Sequence, residues 1–391
     1  MQFLQRLIRT PGLPGQEGET AELVAAEMTM LGYADVGIDA VGNVLGQIRG
    51  RGGAPAVMFN THLDHVDVGD HSRWPHPPYG AEIHRDCVWG RGAVDIKGPL
   101  AAQVHGVARL IDDTPPPGDV WVTAVVQEEI GGVGARHLLE SLDTPIAVIG
   151  EPSSNTLRRG HRGRSELNVH IRGRSAHASV PDEGVDPYRV LAGFLRRLAD
   201  LDMASDPDLG TSTVVPTLIR TDQTSANVIP GEIWLTCDWR RVPGESAGAA
   251  RQKLQAILDA SLIEGATGTV EVPSFRRTAY TGVAVQIEAN NPPYILAADD
   301  PVVVAACRIL EPVIGPSPSV GVWQFATDGG HFAEAGMACI GFGPGDELLA
   351  HTVNEHIAIE QLETALQANE MLARELAAAT ATAAGESGSS G

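Results

Sequence analysis

The stretch that decides the fold is residues 120–130, VWVTAVVQEEI, an apolar run of strand length stopped by two adjacent glutamates. Val, Trp and Thr suit an extended backbone, and seven of the eight residues from Val120 to Gln127 fit a sheet buried on both faces. Glu128 and Glu129 then fall at the strand's carboxyl end, the edge of an open α/β sheet where ligands bind. Two neighbouring carboxylates repel. A divalent cation held by one, with the other left free to move a proton, gives the pair a reason to coexist.

Outward from this strand, the same texture recurs. Residues 56–60 (AVMFN) form a short apolar strand followed by Thr61-His62-Leu63-Asp64, and residues 145–149 (PIAVI) form another, ending in Gly150-Glu151-Pro152. Asp95 lies in the glycine-rich WGRGAVDIKG, ahead of a helix expected over 99–111. Helices are also expected over 3–9 and 17–31, the second closed by Gly32. The texture changes near 161–164. Beyond it, strands at 166–171, 213–219, 232–239 and 269–272 alternate with helices at 188–201 and 246–262, the βαββαβ order of a ferredoxin-like module.

After residue 292 the first texture resumes, with a helix at 301–314, a strand at 338–342, and His351 opening a long final helix over 357–379. The reading is therefore an α/β fold: a catalytic domain with a mixed, mostly parallel sheet flanked by helices, from 1–164 and 290–391. Into it is inserted an α+β lid and dimerisation domain, 165–289. The Ala/Thr/Gly/Ser-rich stretch 380–391 reads as a disordered or appended tail.

Composition narrows the functional classes. The 391 residues suffice for two domains and a large core, and a formal charge of −21 argues against nucleic acid or an anionic membrane as a partner. Cys87, Cys237, Cys307 and Cys339 are scattered without CxxC spacing, so they read as small buried apolar residues of a reducing compartment. No membrane span or signal peptide is read, and a cytoplasmic location is the expectation.

Five candidate metal ligands stand where strands end or helices begin: His62, Asp95, Glu129, Glu151 and His351. Imidazole and carboxylate without thiolate suit zinc, with cobalt or manganese as alternatives. Asp64, two residues after His62, is placed to hold its imidazole from behind. Asp95 is placed to bridge two cations. Singly, each residue has a dull reading as a capping or solvated side chain. Together, on one sheet edge, they read as a site.

The blocks HLDHVDVGD, WGRGAVDIKG, QEEIGG, GEPS, GRSAHASVP, NVIPGE and AHTVNEHI resemble, in order and approximate spacing, the co-catalytic zinc hydrolases that include acetylornithine deacetylase, succinyl-diaminopimelate desuccinylase and carboxypeptidase G. The resemblance implies one zinc on His62, Asp95 and Glu151 and a second on Asp95, Glu129 and His351, with Glu128 as general base. It implies that His177, in the inserted domain, reaches a neighbouring subunit's site to stabilise an oxyanion. Asn227 and Arg240 would contact substrate, Arg240 meeting its carboxylate. The expected substrate is an N-acyl amino acid or a short peptide, cleaved by a homodimer.

Two departures stand out. His65 and Asp67 occupy positions where the family has apolar residues or proline, and with His71 they read as an exposed loop more than as a further polar cluster; ATDGGHF (326–332) replaces a Gly-Thr-Ser-Asp sequence near the substrate pocket. Gly244-Glu245-Ser246-Ala247-Gly248 matches GxSxG, but Arg240, Arg241 and Pro243 intervene after the strand, so Ser246 reads as a helix cap more than as an esterase nucleophile. A non-catalytic metal-binding relative is disfavoured by the presence of Glu128.

Overall fold

In a computed structural model, residues 1–388 are described, with side chains through residue 378. A nine-stranded sheet runs Ala34–Ile38, Val44–Ile48, Asp119–Val125, Pro55–His62, Ile146–Ile149, Ala338–Gly341, Leu157–His161 and Tyr294–Ile295, with Val320–Trp323 beside Leu157–His161. Its central pairs, from Asp119–Val125 to Ala338–Gly341, are parallel, and the outer pairs are mostly antiparallel. Parallel strands need both faces covered, and the central strands are buried almost without interruption. Gly98–Ala108, Pro301–Ile314 and the long last helix cover the sheet, the first and last packing on each other.

A second sheet carries its own core. Gly163–Arg172 leads through helix Pro187–Ala199 to Thr213–Thr221 and Glu232–Arg241, then through helix Ala247–Asp259 to Thr267–Glu271. The spatial order Thr213–Thr221, Glu232–Arg241, Gly163–Arg172, Thr267–Glu271, antiparallel throughout, is the expected split pattern. Leu167, Val169, Ile171, Phe194, Trp239 and Leu254 form a core separate from that of the large sheet. Thr213–Thr221 is an edge strand, and it exposes Val215, Leu218 and Ile219.

Three of the differences from the sequence reading concern a hairpin, His351 and the C-terminal stretch. A hairpin of Ser274–Thr278 and Ala284–Glu288 follows the second sheet, and its Ala279, Tyr280 and Val285 pack on the core of the large sheet. His351 does not open a helix: it sits in a turn with φ +62, and strand His356–Ala358 precedes the last helix. That helix spans Ile359–Gly388, so the tail expected from residue 380 begins inside it; residues 389–391 lie outside the described residues. Among the described residues no helix is long and apolar enough to cross a membrane.

Candidate active site

The parallel strands aim their carboxyl ends at one edge, and the acids and imidazoles arrive there with them. His62 is the last residue of its strand, Glu128 and Glu129 follow Asp119–Val125 by two turn residues, and Glu151 follows Ile146–Ile149. Gln127 takes a positive φ of 55, which ends the strand and turns the two glutamates into the crevice.

The chain ends converge tightly. His62 Nε2 lies 3.1 Å from Asp95 Oδ1 and 3.5 Å from Glu151 Oε1. His351 Nε2 lies 3.1 Å from Asp95 Oδ2 and 3.1 Å from Glu129 Oε1. Asp95 therefore faces one imidazole with each oxygen, the disposition of a bridging carboxylate. His62, Asp95 and Glu151 form one group of donors within 4.8 Å of one another, and Asp95, Glu129 and His351 form a second.

Whether these residues suit a pair of cations is decided by their chemistry. Asp95 Oδ1 is buried and accepts no hydrogen bond, although an imidazole nitrogen is close. Burial, then the neighbouring Asp95 carboxylate, pushes Glu151 well above the usual range; Glu129 is raised for the same two reasons. Asp95 itself is held low: burial would raise it, but the imidazoles of His351 and His62 outweigh that. Glu128 is pushed well up by burial first and by Asp328 second. Four acids this close repel one another unless positive charge lies among them. Imidazole and carboxylate donors around two points, one acid shared, fit two divalent ions.

Asp64 ties the arrangement together. Its backbone oxygen lies 3.0 Å and its Oδ1 3.3 Å from His62 Nδ1, so the ring's far nitrogen is engaged and Nε2 is left facing the crevice. The same carboxylate accepts the backbone N–H of Glu128 and of Glu129, each at 3.1 Å.

Two cavities meet at this edge. One, of about 240 Å³, holds Asp95, Glu129, Glu151 and His351; the other, of about 310 Å³, is lined by Arg164, Arg240 and Arg277. Glu128, Glu129, Phe325 and Ala326 line both, so Glu128 stands at the junction. Arg240 is thus brought to the crevice while its Nε bonds Asp238 at 2.7 Å: it pairs with Asp238 and faces the cavity as well.

His177 and Asn227 are not brought there. Both are exposed, His177 on Ala176–His177 and Asn227 in the turn just before the paired segment Val228–Ile229; His177 Nε2 lies 3.4 Å from Asn227 Nδ2, and neither lines the two cavities. Ser246 caps its helix by accepting the Ala249 N–H at 3.1 Å. His65 is buried, receiving the Gly12 N–H, and burial lowers it to about 4; Asp67 and His71 do not join it as a further donor group.

The sequence reading missed three supporting acids. Glu355, within the quoted AHTVNEHI block, accepts the N–H of Val94 and Asp95 and pairs with Arg91, fixing the loop that presents Asp95. Glu17 accepts the N–H of Gln127 from behind, and burial raises it to about 7. Asp328, in the divergent ATDGGHF, is buried with both carboxyl oxygens unpartnered, and burial, opposed by His62, raises it to about 7. Only the unusual loop sequence signalled the last of these.

A mixed α/β sheet with two cation cradles sharing one aspartate, and a glutamate beside them, defines the class of two-metal hydrolases. Residues 58–375 match the model of Peptidase family M20/M25/M40, and the chain belongs to that family. It is a hydrolase of amide bonds. Succinyl-diaminopimelate desuccinylase of Cereibacter sphaeroides (strain KD131) is 28% identical over 381 residues, 91% of this chain and 93% of the relative. Aminopeptidase PepT from Bacillus cereus shares the fold, with TM-score 0.75 at 21% identity over 96% of this chain and 97% of its own. Bacillus subtilis YXEP, a dinuclear metal-binding peptidase of the M20 family, shares it with TM-score 0.73 at 15% identity over 95% and 96%.

Proposed function

We propose that the chain removes an N-acyl group from an amino acid, using water, two zinc ions and Glu128. The observation that carries this is Glu128 at the junction of the donor cavity and the arginine cavity, which aligns a polarised amide with a carboxylate handle. His62, Asp95 and Glu151 would hold one ion and Asp95, Glu129 and His351 the other, with cobalt or manganese as substitutes. When bound, such ions polarise the amide carbonyl and bring water within reach of ionisation near neutral pH.

The rest falls to the chain's own residues. Glu128 takes a proton from the attacking water and returns it to the departing nitrogen, completing the C–N cleavage. Asp64 orients His62 and anchors the Glu128 backbone. Arg240 receives the substrate carboxylate through the guanidinium nitrogens that Asp238 does not occupy. That handle serves a free C-terminus equally, so metallo-carboxypeptidase or dipeptidase activity is the second reading.

The division into 1–164 with 290–391 and 165–289 is part of the same proposal, the inserted part acting as lid and dimerisation surface. Supporting it are the apolar residues exposed on the edge strand Thr213–Thr221, which offer a pairing surface to a second copy. His177 and Asn227, away from their own crevice, then face a partner's, where His177 stabilises the oxyanion. Dialysis against a chelator is expected to abolish hydrolysis, and zinc, cobalt or manganese to restore it, in a screen of N-acetyl and N-succinyl amino acids against dipeptides. Activity indifferent to chelation ends the proposal.

A further inference from the structure

The arginine cavity holds three guanidinium groups, Arg164, Arg240 and Arg277, more than one substrate carboxylate requires. Arg164 and Arg240 both direct Nε at the single carboxylate of Asp238, each at 2.7 Å. Arg277 has no such partner: its Nε is buried and unbonded, and among the described residues it forms no ion pair. Glu166 and Glu288 also line the cavity, yet neither pairs with an arginine there.

Arg277 is held in place nonetheless. Its guanidinium lies over the Phe275 ring, 4.9 Å from the centroid, and both residues line the cavity. Its strand, Ser274–Thr278, is tied to the catalytic loop, because Gln127, next to Glu128, donates its side-chain N–H to the Thr278 carbonyl at 2.9 Å. Beyond the strand, the Tyr280 hydroxyl donates to Gly42 O and the Thr281 hydroxyl to Ala40 O. A half-buried cation, positioned from both sides and in ion-pair contact with none of the cavity's glutamates, is a receptor for an anion that the protein does not supply.

Resting on the proposed amidohydrolase reading, we propose that Arg277 is a specificity residue that binds a second carboxylate of the substrate, on the amino-acid half. Arg240 and Arg277 share one cavity, which Glu129 borders from the donor side, whereas Asp95, Glu151 and His351 line only the other. The second negative charge therefore belongs to the half that Arg240 already holds, and the substrate class is N-acyl derivatives of acidic amino acids.

The test compares N-acetylglutamate with N-acetylglutamine, which differ by one charged group at nearly equal size. Loss of a charge-assisted bidentate contact is expected to give a preference for the acid of at least about tenfold in kcat/KM. Arg277→Gln is expected to bring that ratio to within about twofold of one, Arg277→Lys to keep part of it, and Arg276→Gln, changing the exposed neighbour, to leave it intact. Calorimetric Kd values for both ligands in the metal-loaded Glu128→Gln protein read the same discrimination without turnover. No preference in the parent, a preference that survives Arg277→Gln, or no binding of either ligand overturns the subsite. Arg277-dependent binding with no hydrolysis of either compound leaves the subsite standing and removes the deacylase reading.

Discussion

The donor cluster at the edge of the large sheet and the His177 corner of the small sheet hold residues expected to serve one reaction, yet they are built in opposite ways. The cluster is buried except for His351, its atoms meet within a few ångströms, and His62, Asp95, Glu128 and Glu129 are braced by hydrogen bonds through Asp64 or Glu355. The His177 corner is exposed, and its main side-chain partners are Ser179 and Asn227. The difference teaches that one chain's fold gathers the candidate ion ligands unaided and leaves His177, the proposed oxyanion donor, outside the crevice.

The largest effect tests the first region. Glu128→Gln is expected to keep both metals, by elemental analysis, and to lose roughly three orders of magnitude or more in kcat, the upper range for a general acid–base residue. A near-normal rate would remove Glu128 as the base.

The next tests the second region. His177→Ala is expected to lower kcat by roughly a hundredfold with metal content unchanged, as for loss of one oxyanion donor. Because the donor is proposed to act across a dimer, mixing it with Glu128→Gln and allowing subunits to exchange is expected to restore about a quarter of parental activity: half of the dimers are mixed, and each mixed dimer has one intact site. If the mixture stays as inactive as its components, His177 acts, if at all, within its own chain.

The smallest concerns support behind the cluster. Glu17 is raised to about 7 from 4.5, so the folded state holds its proton more tightly than the unfolded one. Its contribution is fully present below pH 4.5 and is lost as pH rises through 7. Glu17→Gln is therefore expected to match the parent in thermal stability near pH 4.5 and to exceed it at pH 8, by up to roughly 3 kcal/mol. Parallel melting curves across that range would remove the buried acid as the cause.

Much of the cluster was legible in the sequence because His62, Glu128, Glu129 and Glu151 follow buried parallel strands, whose apolar runs mark their own ends. His62 and Glu151 were placed by nothing more than that. The strand Leu157–His161 escaped because Arg158 and Arg159 interrupt its apolar pattern, and Val320–Trp323 because it lies at the sheet's margin, where one glycine and a half-exposed face suffice. His351 was misjudged locally: its left-handed backbone is imposed by the turn that delivers it to Asp95 and Glu129, and no local preference of histidine announces it. Arg277 was invisible, since FRRT reads as a solvated strand until the hairpin is seen to fold back onto the catalytic loop.

One carboxylate, that of Asp64, steadies both the ring of His62 and the peptide N–H groups of Glu128 and Glu129. With a common footing, thermal jostling carries the ring and the proton acceptor in step, and the error largely cancels in their separation. The spacing between them is thereby kept steadier than the position of either.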